Sequence, residues 1–200
     1  MTKDVAGRQA GIRRRGIRRL SAEVWGTGGS IWAADGQGHD PEADPEADTE
    51  ADTEADTETD TEVADEPVPD AVGGVLGLEG GAPACVRRRR FLLDGKPVML
   101  ATSYLDAVLV AGTPIAEPDS GPGGIYARLA ELGQEPVRFR EEIRSRMPSP
   151  EETDRLGLAA GTPVVLVRRT AFAAGGRAVE VNEMVLDASA YVLEYEFDAP

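Results

Sequence analysis

Cysteine and histidine are almost missing from this chain, with Cys85 and His39 the only examples of each. One cysteine excludes an intramolecular disulfide, and one cysteine with one histidine cannot build a zinc site of the usual Cys/His kind, so a reducing cytoplasm fits. No run of about 18 apolar residues exists, which argues against a spanning helix. The arginine-rich start (Arg13, Arg14, Arg15, Arg18, Arg19) is followed by no apolar segment, so no secretory signal is expected. Lys and Arg are absent between Asp40 and Asp70, where 15 of the 36 acidic residues lie. That stretch carries the whole net charge of −15, and the remainder sets 21 acids against 21 bases. The acidity is therefore local, and the low pI is a poor guide to partners. A soluble, cytoplasmic chain of 200 residues has room for one ordinary domain with tails.

Three regions are expected. Residues 1–39 form a basic arm and a linker-like piece that carries Trp25 and Trp32, large aromatics expected to dock on the main domain. The arm shows no helical period and reads either as disordered or as a phosphate-contacting tail. Residues 40–60 repeat EADP, EADT and ETDT with no bulky apolar side chain, so they cannot bury enough surface to offset the entropy of ordering. An extended, solvated insert is expected, with an acidic decoy folding back on the basic arm as the alternative. Residues 61–200 form the compact domain.

Inside that domain two stretches read alike at an offset of 80 residues. Leu76-Gly77-Leu78, Gly81, Pro83, Val86 and Arg88-Arg89 match Leu156-Gly157-Leu158, Gly161, Pro163, Leu166 and Arg168-Arg169. Each copy follows a helix-like segment, and its first glycine suits a helix C-terminus. Each leads into a hairpin, turned at Asp94-Gly95 and at Gly175-Gly176. Between the units, Gly123 to Gly133 has apolar residues at i, i+4 and i+7, the period of an amphipathic helix. Residues 137–147 alternate Val137, Phe139, Glu141 and Ile143 with arginines and Glu142, as a half-buried strand does. Ser149-Pro150-Glu151-Glu152 is a capping box. The fold class is α+β: an antiparallel sheet of at least four strands with helices on one side.

The succession Arg88-x-Arg90, Asp94-Gly95, Pro97-Val98, Thr102-Ser103-Tyr104-Leu105, Gly124-Ile125-Tyr126, Glu152 with Leu156, Gly161-x-Pro163-Val164, Arg168-Arg169 and Val179-Glu180 resembles the UTRA domain. UTRA is the effector-sensing module of the HutC branch of GntR-type transcriptional regulators, related in fold to chorismate lyase. The resemblance implies a first strand over Thr61–Val68, no cofactor, no membrane, pairing into a homodimer, and a small anionic or weakly polar metabolite as effector. Such regulators begin with a winged helix-turn-helix, which Met1–Ile17 is too short to hold. DNA would then be reached only through a missing or partner-supplied reader.

Candidate effector contacts are Arg89, Thr102, Ser103, Gly123, Gly124, Arg140 and Glu180. Gly123-Gly124 would open a helix with unpaired amides, a setting that favours an anion. Of four consecutive arginines, two must face each side of the sheet, so one pair requires a partner or ligand. Arg89 maps onto the family's arginine-bearing strand, or Arg88 if the register shifts. Glu180 would accept from those arginines or from the ligand. In sugar-phosphate-sensing members a Glu and a Tyr stand at the positions of Ala101 and Leu186, so the resemblance implies a less hydroxylated effector here. Two alternatives stay open: a chorismate lyase-like enzyme, for which no poised His, Cys or carboxylate pair is visible, and an interaction partner that dimerises with full-length regulators. The expectation is a non-enzyme.

Overall fold

The computed structural model describes residues 17–19, 57–93 and 95–194. Trp25, Trp32, the repeat up to Asp56 and Asp94 lie outside the described residues, so the expectations placed on them stay untested.

Within the compact domain the chain runs β2 (Thr57–Pro67), α1 (Asp70–Leu76), β3 (Pro83–Leu93), β4 (Lys96–Asp106) and the short α2 (Ala107–Val110). After a 3-10 turn at Pro114–Ala116 come α3 (Gly124–Glu131), β5 (Pro136–Arg146), α4 (Pro150–Leu156), β6 (Val164–Ala173) and β7 (Ala178–Asp187). Ahead of them β1 (Ile17–Arg19) pairs in parallel with the final β8 (Val192–Glu194), so three residues of the expected basic arm form a strand. No described helix is long and apolar enough to cross a membrane.

The sheet order is β2-β3-β4-β7-β6-β5, with every pairing antiparallel. The 80-residue echo is thus a spatial one. Each unit of edge strand, helix and hairpin supplies half of the sheet, and the halves meet where β4 pairs β7. Helix C-termini fall at Gly77 (φ 72°) and Gly157 (φ 59°), conformations that side chains with a Cβ adopt at a cost. The first strand begins at Thr57 rather than Thr61, because residues 57–60 pair with Arg90 to Leu93. The end of the acidic repeat is therefore part of the sheet.

Alternation sorts the strands into two faces. One carries Cys85, Arg87, Arg89 and Phe91 of β3 with Ser103, Asn182, Arg169 and Glu141. Its apolar ground is covered by Val110, Ile115, Ile125 and Leu129 from the 107–132 segment. The other face carries Val86, Arg88, Tyr104, Val181 and Arg168, and receives α1 through Val72 and Leu76 and α4 through Leu156. Helices cover both faces, not one: the segment between the two units returns across the sheet side that the repeats leave bare.

The capping box is formed. Ser149 Oγ accepts from the Glu152 amide at 3.2 Å, and the Glu152 carboxylate accepts from the Ser149 amide at 2.8 Å. Arg146 donates twice to the same carboxylate, and its guanidinium holds Glu152 below the ordinary carboxyl range. Ser149→Ala is expected to cost about 1 kcal/mol in urea unfolding; a loss within error would show that Arg146 alone fixes the helix start.

Candidate functional site

A strand in the middle of a sheet buries both its faces once helices cover them, so polar side chains there must find partners. On the face covered by residues 107–132 the sequence nonetheless sets a polar layer. Arg87 and Ser103 face each other in register, as do Ser103 and Asn182, Asn182 and Arg169, and Arg169 and Glu141. Arg89 lies one step along β3 and Glu180 one step along β7. Arg87, Ser103, Arg169, Glu180 and Asn182 are all buried.

Their partners differ. Arg169 Nε donates to Glu141 Oε1 at 2.8 Å, and the guanidinium stands 5.7 Å from the Phe139 ring centroid. Arg89 Nη2 donates to Ser103 Oγ at 2.6 Å. Arg87 spends its terminal nitrogens on main-chain carbonyls of the 113–119 turn: Ile115, Glu117 at 2.5 Å and Pro118 at 3.0 Å. That arginine ties the covering segment to the sheet. Arg88 and Arg90, on the other face, pair with Glu66 at 2.6 Å and Asp60 at 2.5 Å. The split of four arginines into two pairs follows the alternation of the strand.

Glu180 is the least satisfied of these groups. It is fully buried, and neither carboxylate oxygen has a hydrogen-bond partner among the described residues. Burial pushes its pKa up, against the downward pull of the Arg89 and Arg87 charges and of the Ser103 and Tyr126 hydroxyls, which stand near the carboxylate without completing a hydrogen bond of good geometry. Burial likewise lowers that of Arg89, opposed by Glu180. Arg89 Nε and Asn182 Oδ1 likewise have no hydrogen-bond partner among the described residues. Beyond Arg89 the face turns apolar, through Phe91, Met99, Ala101, Val167, Met184 and Leu186. Ala101 and Leu186 both belong to that apolar patch.

A carboxyl with a raised folded-state pKa holds its proton more tightly in the folded chain. Stability then falls as pH rises from the ordinary carboxyl value through the folded one. Glu180→Gln is expected to remove that decline while leaving stability at pH 8 no lower than the parent's. Thermal melts of both proteins from pH 4.5 to 8 test this. A variant less stable by more than about 1 kcal/mol at pH 8 would mean that the arginines satisfy the carboxylate.

Of the residues singled out in the sequence, Arg89, Ser103 and Glu180 come together on this face. Thr102 and Arg140 fall on the opposite one by strand alternation, Arg140 with its guanidinium 5.7 Å from the Phe172 ring centroid. Gly123 and Gly124 open α3 above the first face, both with positive φ (81° and 64°). The Gly124 amide is not unpaired, since it donates to the Gly121 carbonyl at 3.1 Å. A Cβ on Gly124 would meet nothing within 4 Å, so a substitution there acts through backbone strain and not by blocking an approach. The sequence reading missed Arg87, Arg169, Asn182, Glu141 and Tyr126. Strand parity on the Arg87 to Arg90 run was the available signal for the first. An open cleft of about 300 Å³ lies on the other face between Arg144, Arg146, Glu152, Arg168 and Glu183. Two of its arginines are already paired, Arg146 with Glu152 and Arg168 with Glu183, which leaves less unsatisfied polarity than surrounds Glu180.

The profile of the UTRA domain matches residues 57–192, more than half of the chain. An HTH-type transcriptional regulator of Streptomyces coelicolor is 36% identical over 133 residues, 65% of this chain and 49% of that protein. The HTH-type transcriptional repressor PhnF of Mycolicibacterium smegmatis is 30% identical over 111 residues, 56% of this chain and 45% of that protein. The chain thus spans about half the length of the curated relatives it matches. A solved structure assigned to the GntR family of transcriptional regulators superposes with a TM-score of 0.66 at 26% identity, covering 72% of this chain and 60% of that one. The six-stranded antiparallel sheet with helices is the chorismate lyase-like α+β fold of those effector domains. The chain belongs to the UTRA family, the ligand-sensing domain of GntR-type transcriptional regulators.

Proposed function

We propose that this chain senses a small anionic metabolite in the layer between the central strands and the 107–132 segment, as the effector-binding part of a HutC-type regulator of transcription. The observation that carries the reading is Glu180 with both oxygens unpartnered beside the partly unsatisfied Arg89. Burying such groups costs free energy that a packed apolar core would not incur, and ligand-binding sites are where proteins tolerate that cost. Arg89 would meet the anion, Ser103 would orient Arg89, and Glu180 with Asn182 would accept from the ligand's own donors. The apolar patch through Ala101 and Leu186 favours an effector with an apolar arm over a polyol.

Arg87 supplies a route to a response. An anion that recruited its guanidinium would compete with the carbonyls of Ile115, Glu117 and Pro118 and so loosen the covering segment. The relatives are transcriptional regulators, which supports sensing over lyase chemistry. Pairing of two copies, and transmission to a DNA-reading domain such as the HTH-type relatives carry, belong to the same reading.

The test is a thermal-shift screen of carboxylate- and phosphate-bearing metabolites on the full chain, followed by calorimetry of the best hit. A hit whose affinity is unchanged in the Glu180→Gln and Arg89→Met variants would move the site elsewhere.

A further inference from the structure

The acidic repeat and the free edge of the sheet share one period. From Asp40 to Glu62 an Asp or Glu occupies every even position, without a break. In an extended strand all of these carboxylates lie on one side, about 6.6–6.8 Å apart. The described end of the repeat adopts that form: Thr57 to Glu62 lie in β2 against β3, and Asp60 pairs with Arg90 across the register at 2.5 Å. At its described end the repeat is thus part of the sheet, with one of its alternate carboxylates on an arginine of the neighbouring strand.

A second strand of that kind stands at the opposite edge. β5 is last in the sheet and among the described residues pairs with β6 alone. Its even positions are Arg138, Arg140, Glu142, Arg144 and Arg146, all exposed. Arg146 is held by Glu152, whereas Arg138, Arg140 and Arg144 have no carboxylate partner among the described residues, and the Arg138 guanidinium stands over Phe172 at 3.8 Å from the ring centroid. On the alternate side Val137 is 64% and Ile143 41% exposed. Natural edge strands are usually blunted, and this one offers an open ladder, two apolar side chains and three arginines without a carboxylate among the described residues.

We infer that β5 is a strand-addition site whose occupant is the acidic repeat, Glu46 to Asp56, of a second copy of this chain. Eleven residues without proline match the eleven of β5. Main-chain hydrogen bonds along the ladder would supply affinity and the even-numbered carboxylates would meet the even-numbered arginines, the division of labour of β-augmentation. Only Glu142 would face a like charge. A copy cannot fill its own edge in this way. Asp56 is bonded to Thr57 at the far end of the sheet order, five strand spacings or about 24 Å from β5. Spanning that distance would consume roughly seven or eight extended residues, and the part of the repeat left over would include Pro41 and Pro45, which cannot donate to the ladder.

The acceptor for the test is the full chain with its carboxylates at even positions 42–56 changed to Asn or Gln, so that no copy presents a competing repeat. The probe is a fluorescein-labelled peptide of residues 46–56, followed by anisotropy in about 50 mM salt. Binding is expected, weakened at least tenfold by combining Arg138→Gln, Arg140→Gln and Arg144→Gln. A peptide of the same composition with its acids contiguous should bind at least fivefold less tightly. Circular dichroism of the triple variant, whose three side chains are exposed, checks that the fold is retained. The inference is overturned if the peptide does not bind, or if the triple variant binds it as well as the acceptor. It is equally overturned if the contiguous-acid peptide or a short duplex DNA binds as tightly, since the edge is then a general polyanion patch. None of these outcomes touches Glu180 or Arg89, so the sensing site stands or falls separately.

Discussion

Arg169→Met is expected to destabilise the domain by about 3 kcal/mol in urea unfolding, the lower end of what breaking a buried ion pair costs. Arg169 is 1% exposed, and its guanidinium lies 2.7 Å from the Glu141 carboxylate, whose side chain is only 10% exposed. Methionine fills much of the same volume, so the loss would come from the carboxylate left behind and not from a void. The position also touches the Phe139 ring, which in turn stands 5.4 Å from Tyr126, so the pair helps to seat α3 on the sheet. Adding Glu141→Leu to the variant should recover most of the loss, because the orphaned charge is then gone. A loss under about 1 kcal/mol in the single variant would mean that Glu141, on an edge strand, simply turns out to water.

That pair also shows how far the sequence carries and where it stops. The alternation of residues 137–147 places Val137, Phe139, Glu141 and Ile143 on one side, and the strand obeys it. A period alone cannot say that Glu141 rather than Ile143 faces a buried arginine, since that depends on the register with β6. In the fold Glu141 is the acid that this side buries, its side chain 10% exposed, whereas Val137 and Ile143 on the same side stay 64% and 41% exposed. The two hairpin units were legible because glycine and proline mark helix ends and turns by local sterics, and the capping box because its two hydrogen bonds join residues three apart. The second layer of helices was not, because the cover provided by Ile115, Ile125 and Leu129 is a long-range contact with no local signature. Thr102 and Arg140 adjoin the candidate site along the chain, and strand parity sends them to the other face. The same parity puts Arg87 and Arg89 on one side.

Replacing Arg89 by Met is expected to weaken binding of an anionic effector tenfold to a hundredfold. A charge-assisted hydrogen bond in a water-poor site contributes about 1.5–3 kcal/mol, and each 1.4 kcal/mol is a factor of ten. The fold should persist or gain stability. Arg89 is a half-buried cation held by one hydrogen bond to Ser103, its Nε is unpartnered, and burial lowers its pKa. Removing it leaves Ser103 a hydroxyl that can turn to another acceptor, and takes from Glu180 the cation that most opposes the upward push of burial on its pKa. Affinity and stability are therefore predicted to move in opposite directions, which separates a ligand-binding arginine from a structural one. Calorimetry with the best hit of the metabolite screen gives the first quantity, and thermal melts without ligand give the second. If Arg89→Met lowers the melting temperature by more than about 5 °C while the affinity of the surviving fold is unchanged, Arg89 holds the sheet together and the anion is met elsewhere in the layer. The next arginine to test is then Arg87, whose release from the carbonyls of Ile115, Glu117 and Pro118 would show as faster amide exchange in residues 113–119.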